Sequence, residues 1–452
     1  MKKTISALAL TLAAVCSCGI YGKYERPETD VQIAEDTVAF TPAWREMFSD
    51  PCLQSLIDTA LQRNTDLQVA LLKVEEARAA LTSARLVQLP SLTLNAGAQV
   101  SGSGGSLDGS VKGGNDWAPS VSGKASWEPD IFARNTNAAR AAAASLEGSK
   151  AYAQAVQVEL VSSVAECYYN LLTLDEQLKI SEQTLDSWAE SIAVIEALKD
   201  AGRSNDIAVL QARAKRLKLQ ASAETIRSNI SIAENALCSL LGVPYRTIQR
   251  GTLEEQAFPE DFIDGVPAGT VAARPDVRQA ESALAQAFYN TNASRAAFYP
   301  SLTLSGTLGW TDSGVKISDP AGWIWNALGS LTEPVFNHGA NVAALKTSKA
   351  RQEEAALQFR QTLLDAGREV NDALVECQNA RKCIDYDILQ CEALDDAVEK
   401  IDLMMKYSNS NYLEVLTAKQ SLLDARLGLA QDRSKLISAY ISLFKALGGG
   451  LR

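Results

Sequence analysis

The residues best placed to do chemistry are two cysteines close to the N-terminus. They follow a lysine pair and a short apolar run, in the stretch Val15-Cys16-Ser17-Cys18-Gly19. This order is typical of an exported lipoprotein, in which residues 1–17 are a signal peptide and the thiol after a small residue is acylated. Cys18 fits better than Cys16, because Ser17 is small whereas Val15 is β-branched. An ordinary signal peptide with incidental cysteines is the alternative.

Elsewhere the sequence holds few of the groups on which catalysis depends. The 452 residues include one histidine, His338, in the turn-like stretch Phe336-Asn337-His338-Gly339. The other six cysteines form no CxxC pair, and no P-loop, GxSxG or HExxH motif occurs. We therefore predict no catalytic residues, no metal site and no cofactor. With 54 Asp and Glu against 43 Lys and Arg, nucleic acid is disfavoured as a partner.

Two segments alternate strictly between apolar and small polar residues, as a β-strand between two environments does. They are 91–101 and 301–310, each preceded by a proline, Pro90 and Pro300. Two further segments alternate less strictly, and the last of them the least. The predicted strands are 90–101, 119–129, 300–311 and 325–336. Trp117, Trp127, Trp310, Trp323 and Trp325 lie in or beside them and suggest a belt at a membrane interface.

Almost everything else has the pattern of helix, beginning at Cys52. One helix is predicted over about 135–200, which is roughly 100 Å long at 1.5 Å per residue. Its apolar residues recur every seven positions, which is typical of a coiled-coil seam. The first long helix has Val164, Leu171, Leu178, Leu185 and Ile192 on this repeat. A later long helix has Leu363, Val370, Cys377, Ile384, Cys391, Val398 and Met405, and the final helix Leu416, Leu423, Ala430, Ile437 and Phe444.

The chain repeats this plan once, which indicates an internal tandem duplication. Ala273-Arg274-Pro275-Asp276-Val277 follows Arg63-Asn64-Thr65-Asp66-Leu67 by 210 positions, and Gly448 follows Gly242 by 206. Each copy has the order helix, strand, loop, strand, long helix, helix. The predicted divisions are a signal peptide 1–17, a lipidated leader 18–51, repeat 1 over 52–250, a linker 251–267 and repeat 2 over 268–452.

Four strands cannot close a barrel on their own, because closure requires about eight. An open sheet would leave unpaired edges, which lipid does not tolerate. In 91–97 and 301–307 the polar side of the strand carries no large residue, as a wet lumen would favour. A barrel shared between several copies of the chain meets these conditions. A small soluble sheet with buried tryptophans is the alternative.

Several motifs together resemble the TolC superfamily of outer-membrane factors, in its lipoprotein efflux branch. They are Cys18 with Tyr24-Glu25-Arg26-Pro27, the stretch 273–281, Phe298-Tyr299-Pro300-Ser301-Leu302, and Tyr412-Leu413-Glu414-Val415-Leu416-Thr417-Ala418. The resemblance covers nearly the whole mature chain. It implies a mixed α and transmembrane β fold, in which each chain of a homotrimer gives four strands to a twelve-stranded outer-membrane barrel continued by a helical periplasmic barrel.

The resemblance also implies a function and its sites. Such proteins are exit ducts of tripartite efflux pumps for small molecules. They are lipid-anchored in the outer membrane, and they dock with a periplasmic adaptor (membrane fusion protein) and an inner-membrane transporter, usually of the RND type. Leu413, Glu414 and Thr417 match gate positions, although Thr417 stands where many relatives carry an aspartate. The tips that would contact the adaptor are Gly202, Arg203, Ser204, Ser408, Asn409 and Ser410.

Two other functions are compatible with parts of the pattern. A lipid-anchored coiled-coil scaffold without a pore would use the long helices and the anchor, but not the strands with one polar face. A duct for type I protein secretion would use the strands and the long helices, but the lipid anchor argues against it, because lipidated members of the family that the chain resembles mostly serve efflux pumps. An acid near the start of a helix is also common without any gating role, so Glu414 alone does not distinguish them.

Overall fold

The structure, a computed structural model, describes residues 21–27, 43–102, 115–256, 258, 269–311, 323–407 and 412–450. The chain divides into two compact units. Unit 1 draws on Met1–Glu28, Lys73–Lys150 and Gln279–Phe359. Unit 2 draws on Thr29–Leu72, Ala151–Arg278 and Arg360–Arg452.

The described elements follow one another in a repeated order. The first set comprises α1 (Trp44–Met47), α2 (Pro51–Arg63), α3 (Thr65–Leu86), β1 (Ser91–Gly102), β2 (Asn115–Trp127), α4 (Arg134–Asp200) and α5 (Asp206–Leu240). The second set comprises α6 (Gly269–Ala272), α7 (Pro275–Ala296), β3 (Ser301–Thr311), β4 (Trp323–Thr332), α8 (Ala340–Tyr407) and α9 (Tyr412–Ala446). The predicted mixture of long helices and four strands, duplicated along the chain, is confirmed.

Unit 1 contains one antiparallel sheet, in the order β1-β2-β3-β4. Residues directly opposite each other in neighbouring strands share a face. The register pairs Leu94 with Gly123, Gly123 with Leu308, and Leu308 with Trp325, so most apolar residues of the four strands lie on one face. The alternation within each strand is therefore in register across the sheet, and the sheet as a whole has one apolar and one mainly polar face.

The strands differ from the prediction at several of their ends and in the burial of one tryptophan. Strand β2 begins at Asn115, before the expected 119, and β4 ends at Thr332, before the expected 336, where Pro334 has no amide hydrogen to donate. Strand β4 alternates less cleanly because Ile324 and Leu328 lie opposite Gly309 and Ser305, on the otherwise polar face. Trp310 was expected in an exposed belt, but only 9% of it is exposed, since it packs within the chain.

Unit 2 is a set of packed helices, and the predicted seams lie in its cores. All five seam residues of α9 are buried, as are Leu363 and Cys377 of α8. In α4 the seam is buried at Val164 and Leu171, but further along the buried positions are Trp188 and Ile195. The reason is that a helix of 3.6 residues per turn drifts by about 20° per heptad from a strict seven-residue repeat. The two cores comprise largely residues from α2, α4, α5, α8 and α9.

The two copies of the duplication make the same contact at the same place. In the first copy the amide of Asn64, which ends α2 and caps α3, donates to the carbonyl of Leu240 at 3.0 Å. In the second copy the guanidinium of Arg274 donates to the carbonyl of Ala446, also at 3.0 Å. Each contact fixes the C-terminus of a final helix to the start of that copy's shorter helix. The helical pattern predicted from Cys52 is thus interrupted at Asn64, because its side chain begins a new helix.

Two residues that precede the first helices, Tyr24 and Arg26, contact α7. The backbone amide of Tyr24 donates to the hydroxyl of Tyr289 at 3.3 Å, and Arg26 forms an ion pair with Glu281. Burial, followed by the nearby carboxylate of Glu281, raises the pKa of Tyr24 to about 12. The Tyr24–Arg26 stretch is therefore a specific attachment of the leader to unit 1.

Candidate functional site

The first predicted tip is a tight turn between α4 and α5. Gly202 has φ +70°, and its amide donates to the carbonyl of Lys199, while the amide of Arg203 donates to the carbonyl of Leu198. These two bonds form the Schellman motif that ends α4. The turn fits glycine at this position, because other residues are strained at positive φ.

The start of α5 is capped and charged. The side chain of Asn205 accepts a hydrogen bond from the amide of Ala208 at 3.0 Å, and Lys199 pairs with Asp206 at 3.1 Å across the turn. Arg203 is exposed, and the hydroxyl of Ser204 is buried. The chain therefore forms a turn at Gly202–Ser204 that is closed by backbone hydrogen bonds and followed by a capped helix. The second predicted tip, Ser408, Asn409 and Ser410, lies outside the described residues.

The predicted gate residues share the first turns of α9. Leu413 is 53% exposed, and Glu414 and Thr417 are also exposed, whereas Val415 and Leu416 are buried. The hydroxyl of Thr417 donates to the carbonyl of Leu413 at 2.8 Å, within the same helix. The structure thus brings the three side chains to one end of α9, with none of them used in the core of unit 2.

One residue that the sequence interpretation missed holds this end of α9 in place. Lys419 is 6% exposed, and its ammonium lies 3.1 Å from a carboxylate oxygen of Asp402 in α8. It also donates to the hydroxyls of Ser187 at 3.0 Å and Ser191 at 2.6 Å, both in α4. An ammonium has three hydrogens, and each therefore has a partner here. Lys419 thus ties α9 to two neighbouring helices.

The sequence contains a signal for this role, namely a charged residue at a position where the repeat expects an apolar one. Lys419 lies three residues after Leu416 and four before Leu423, both seam residues. Spacings of three and four alternate along a coiled-coil seam, so Lys419 occupies a seam position. A polar residue at a seam position often specifies which helices pair and in which register.

The cysteines of unit 2 are packing residues. The six described cysteines are free thiols, and Cys377 and Cys391 are buried. Burial raises the pKa of Cys377 to about 11, so very little reactive thiolate is present at neutral pH. Among the described residues, no group of three or more His, Cys, Asp or Glu side chains is arranged to hold a metal ion.

None of the described helices is both long enough and apolar enough to cross a membrane. The single histidine, His338, lies in a turn before α8, with φ 56° and Gly339 following at φ 77°.

A family model described as outer membrane efflux protein matches the chain twice, over residues 56–243 and 267–449. The chain belongs to this family. The two matched segments fall on the two copies of the duplication. The resemblance inferred from the sequence motifs is therefore confirmed, and the protein is located in the outer membrane with its helical part in the periplasm.

Individual members of the outer membrane efflux protein family align along their whole length. The cation efflux system protein CusC of Escherichia coli K12 is 31% identical over 98% of this chain and 98% of its own length. The probable outer membrane lipoprotein SilC of Salmonella typhimurium is 29% identical over 99% of this chain and 98% of its own. The open-state structure of the MtrE outer membrane channel of Neisseria gonorrhoeae is 29% identical, with a TM-score of 0.84 over 96% of this chain and 99% of MtrE.

The family model and CusC are described as efflux proteins, and MtrE as an outer membrane channel. The chain is therefore an outer-membrane efflux channel, and the scaffold without a pore has no support. None of the relatives reported above is named as an enzyme.

Proposed function

We propose that this efflux channel is the exit duct of a tripartite pump, in which a homotrimer passes small molecules across the outer membrane. The observation that carries the proposal is the sheet of unit 1, which places apolar residues on one face and mainly small polar ones on the other. A water-filled passage through lipid requires such a surface. Four strands per copy, in three copies, would give a closed barrel of twelve strands.

The exposure of the apolar face supports this assembly. Leu92 is 83% exposed, Leu94 78%, Trp325 76% and Leu331 70%. Such side chains in a row are unfavourable in water and favourable against hydrocarbon. The two outer strands, β1 and β4, each pair with one strand of the sheet. Their free edges would be satisfied if β4 of one copy paired with β1 of the next.

The native mass of the detergent-extracted protein tests the proposal. Outer-membrane fractions are solubilised, and the mass of the protein is measured after subtraction of bound detergent. We expect three copies of the 48.5 kDa chain, less the signal peptide, in a complex that resists mild dissociation. A monomer that stays in solution without detergent after removal of its lipid would contradict the shared barrel.

The proposed partners are a periplasmic adaptor and an inner-membrane transporter of the RND type. The adaptor would contact the tips, Gly202–Ser204 and Ser408–Ser410. At the first of these, the Schellman turn and the cap at Asn205 fix the backbone, so that a partner would meet a preformed surface. Outer-membrane lipid would surround the sheet.

The repeat and linker boundaries given above, 52–250, 251–267 and 268–452, are proposed as the divisions of the mature chain.

Leu413, Glu414 and Thr417 are proposed as residues of the periplasmic gate. They are exposed on one chain while their neighbours Val415 and Leu416 are buried, so they are available for contact around the axis of a trimer. Leu413 would exclude water and ions, and Glu414 would add a ring of charge.

Replacing Leu413 by serine together with Glu414 by alanine is expected to raise the resting conductance of the protein in planar bilayers. The substitutions remove the apolar side chain of Leu413 and the charge of Glu414, and the smaller side chains that replace them leave the proposed constriction open. Leu403→Ser with Glu399→Ala is the matched control, since Leu403 is 49% exposed and both residues lie on α8. Equal conductance of the gate variant and the wild-type protein would remove these residues from the gate.

Cys18 is proposed as the lipidated residue. Tyr21 lies three residues later, and a chain of three residues spans at most about 11 Å. Burial raises the pKa of Tyr21, as does the nearby Tyr299, which immediately precedes Pro300 and β3. An acyl group on Cys18 would therefore enter the bilayer close to the end of the sheet from which β3 starts, as a membrane-embedded sheet requires.

We expect Cys18→Ser to abolish incorporation of a radiolabelled fatty acid into the protein. Cys16→Ser is the control, because it changes the neighbouring thiol and leaves Cys18 intact. The measurement is the label in the immunoprecipitated protein, normalised to its amount. Label that persists in Cys18→Ser would contradict the assignment.

A further inference from the structure

A groove of about 550 Å³ runs between α5 and α9, close to the predicted gate. Its size lies within the range of roughly 300–1,000 Å³ that is typical of small-molecule sites. The residues that line it recur every three or four positions on each helix, so each helix contributes one continuous face. They are Gln211, Ala214, Lys215 and Lys218 of α5, and Leu413, Leu416, Thr417, Gln420 and Ser421 of α9.

The wall of the groove on α9 carries two apolar side chains, Leu413 and Leu416, beside three uncharged polar ones. Leu413 contributes a half-exposed side chain, and Leu416 lies deeper, with 5% of its surface exposed. Ala214 on the facing helix adds a methyl group and leaves the groove open. A hydrocarbon group that entered here would lose contact with water, which is favourable by about 25 cal/mol for each Å² of apolar surface buried.

The wall on α5 carries positive charge. Lys215 and Lys218 are both exposed and both line the groove. None of the described residues that line the groove is acidic. Four acidic residues near this end of unit 2 have other partners: Asp206 pairs with Lys199, Glu196 with Arg213, Asp402 with Lys419, and Asp424 accepts from Gln420. Glu414, next to Leu413 on α9, is exposed but is not among the residues that line the groove.

The two walls together define the ligand. We propose that the groove binds small amphipathic anions, with the apolar part against Leu413 and Leu416 and the anionic head at Lys215 and Lys218. The inference rests on the proposed duct function and adds a class of cargo to it, namely amphiphiles with a carboxylate or sulfonate head. Cationic amphiphiles of the same size are disfavoured, because the two ammonium groups repel them.

The test compares two probes with the same tail and opposite heads, octane-1-sulfonate and octyltrimethylammonium. Each is titrated calorimetrically into the full mature protein in lipid nanodiscs, with empty nanodiscs subtracted. We expect saturable binding of the sulfonate, weakening as ionic strength rises, and no saturable binding of the ammonium probe. Lys215→Gln with Lys218→Gln should weaken sulfonate binding about tenfold, since two exposed charge pairs contribute up to about 1 kcal/mol each.

Two further variants separate the charge from the shape of the groove. Lys179→Gln with Lys400→Gln removes the same charge from exposed lysines that pair with acids on their own helices, and it should leave sulfonate binding unchanged. Ala214→Phe keeps both groove lysines but fills the space, and it should weaken sulfonate binding as well. These three responses together would identify the groove as the site.

Other outcomes would overturn the inference. They are equal binding of both probes, sulfonate binding unaffected by the groove variants, and no saturable binding at all, as would follow if a neighbouring copy of the chain filled the groove. The duct function has separate readouts in the native mass and the conductance. A trimeric, conducting protein that binds no sulfonate would therefore refute this inference and leave the duct in place.

Discussion

Lys419→Met is expected to loosen the first turns of α9 and to raise the resting conductance of the reconstituted protein. Methionine preserves much of the length of the side chain but cannot replace the ion pair with Asp402 or the hydrogen bonds to Ser187 and Ser191. Removal of one member of a buried ion pair costs about 3–5 kcal/mol. Asp402 is 33% exposed and can be rehydrated, so we expect a loss of about 2 kcal/mol in the free energy of unfolding.

The consequence for conductance follows from the position of the residue. Lys419 is on the same helix as the proposed gate residues, two positions after Thr417, and its three partners belong to α4 and α8. When these contacts are lost, the end of α9 can move away from α4, and with it Leu413 and Glu414. Conductance in planar bilayers and the midpoint of thermal unfolding measure the two effects separately.

Lys435→Met is the matched control for this prediction. Lys435 is on the same helix, but its side chain is 65% exposed and pairs with Asp432 three residues earlier. Exposed pairs of this kind contribute at most about 1 kcal/mol. If Lys419→Met and Lys435→Met had the same small effects, the buried contacts of Lys419 would not hold α9 in place.

Regular spacing was the part of the fold that sequence reasoning could recover. The seam of α9 and the alternation of β1 and β3 depend only on whether a residue faces apolar surroundings, and this property repeats with the period of the element. The glycine at the first tip could be predicted for a related reason, because a turn of positive φ requires that residue type whatever the helix packs against. The cap at Asn64 was missed, because the apolar spacing continues across it from α2 into α3.

Contacts between distant segments could not be predicted in the same way. Lys419 is more than 200 residues from Ser187 and Ser191, and a seven-residue repeat does not say which helix faces it. The groove could not be predicted for the same reason, since Lys215 and Leu413 line one groove only when α5 and α9 pack together. The burial of Trp310 was missed because an aromatic residue at the end of a strand can either face lipid or fill the chain's own core.

The two copies of the duplication use different residues to hold the C-terminus of the final helix against the start of the shorter helix. Asn64 donates one hydrogen bond to Leu240, whereas Arg274 adds an ion pair with Glu369 at 2.7 Å to its bond with Ala446. The position after each final helix has remained glycine, Gly242 in the first copy and Gly448 in the second. The glycine turn therefore restricts the residue type more strictly than the neighbouring hydrogen bond, which either asparagine or arginine can donate.

Gly242→Ala is accordingly expected to be one of the most destabilising single substitutions in unit 2. Gly242 has φ +63°, and a Cβ atom added there would lie 2.8 Å from the carbonyl oxygen of Arg63. The positive φ costs a non-glycine residue about 1–2 kcal/mol. The contact adds to this cost, because the oxygen belongs to the backbone at the end of α2 and cannot rotate away. We expect a loss of about 3 kcal/mol or more in the free energy of unfolding.

Gly202→Ala separates the cost of the positive φ from the cost of the contact, because at Gly202 only the backbone conformation is unfavourable for alanine. Gly202 ends α4 in the same Schellman turn with φ +70°, but nothing lies within 4 Å of the Cβ position. It should lose only about 1–2 kcal/mol. Thermal unfolding of both variants in the same detergent, followed by circular dichroism, gives the comparison. A clearly lower midpoint for Gly242→Ala, or its failure to accumulate as folded protein while Gly202→Ala does, attributes the difference to the contact with Arg63. Equal midpoints would mean that the end of α2 moves aside easily, and that the glycine is needed only for its backbone conformation.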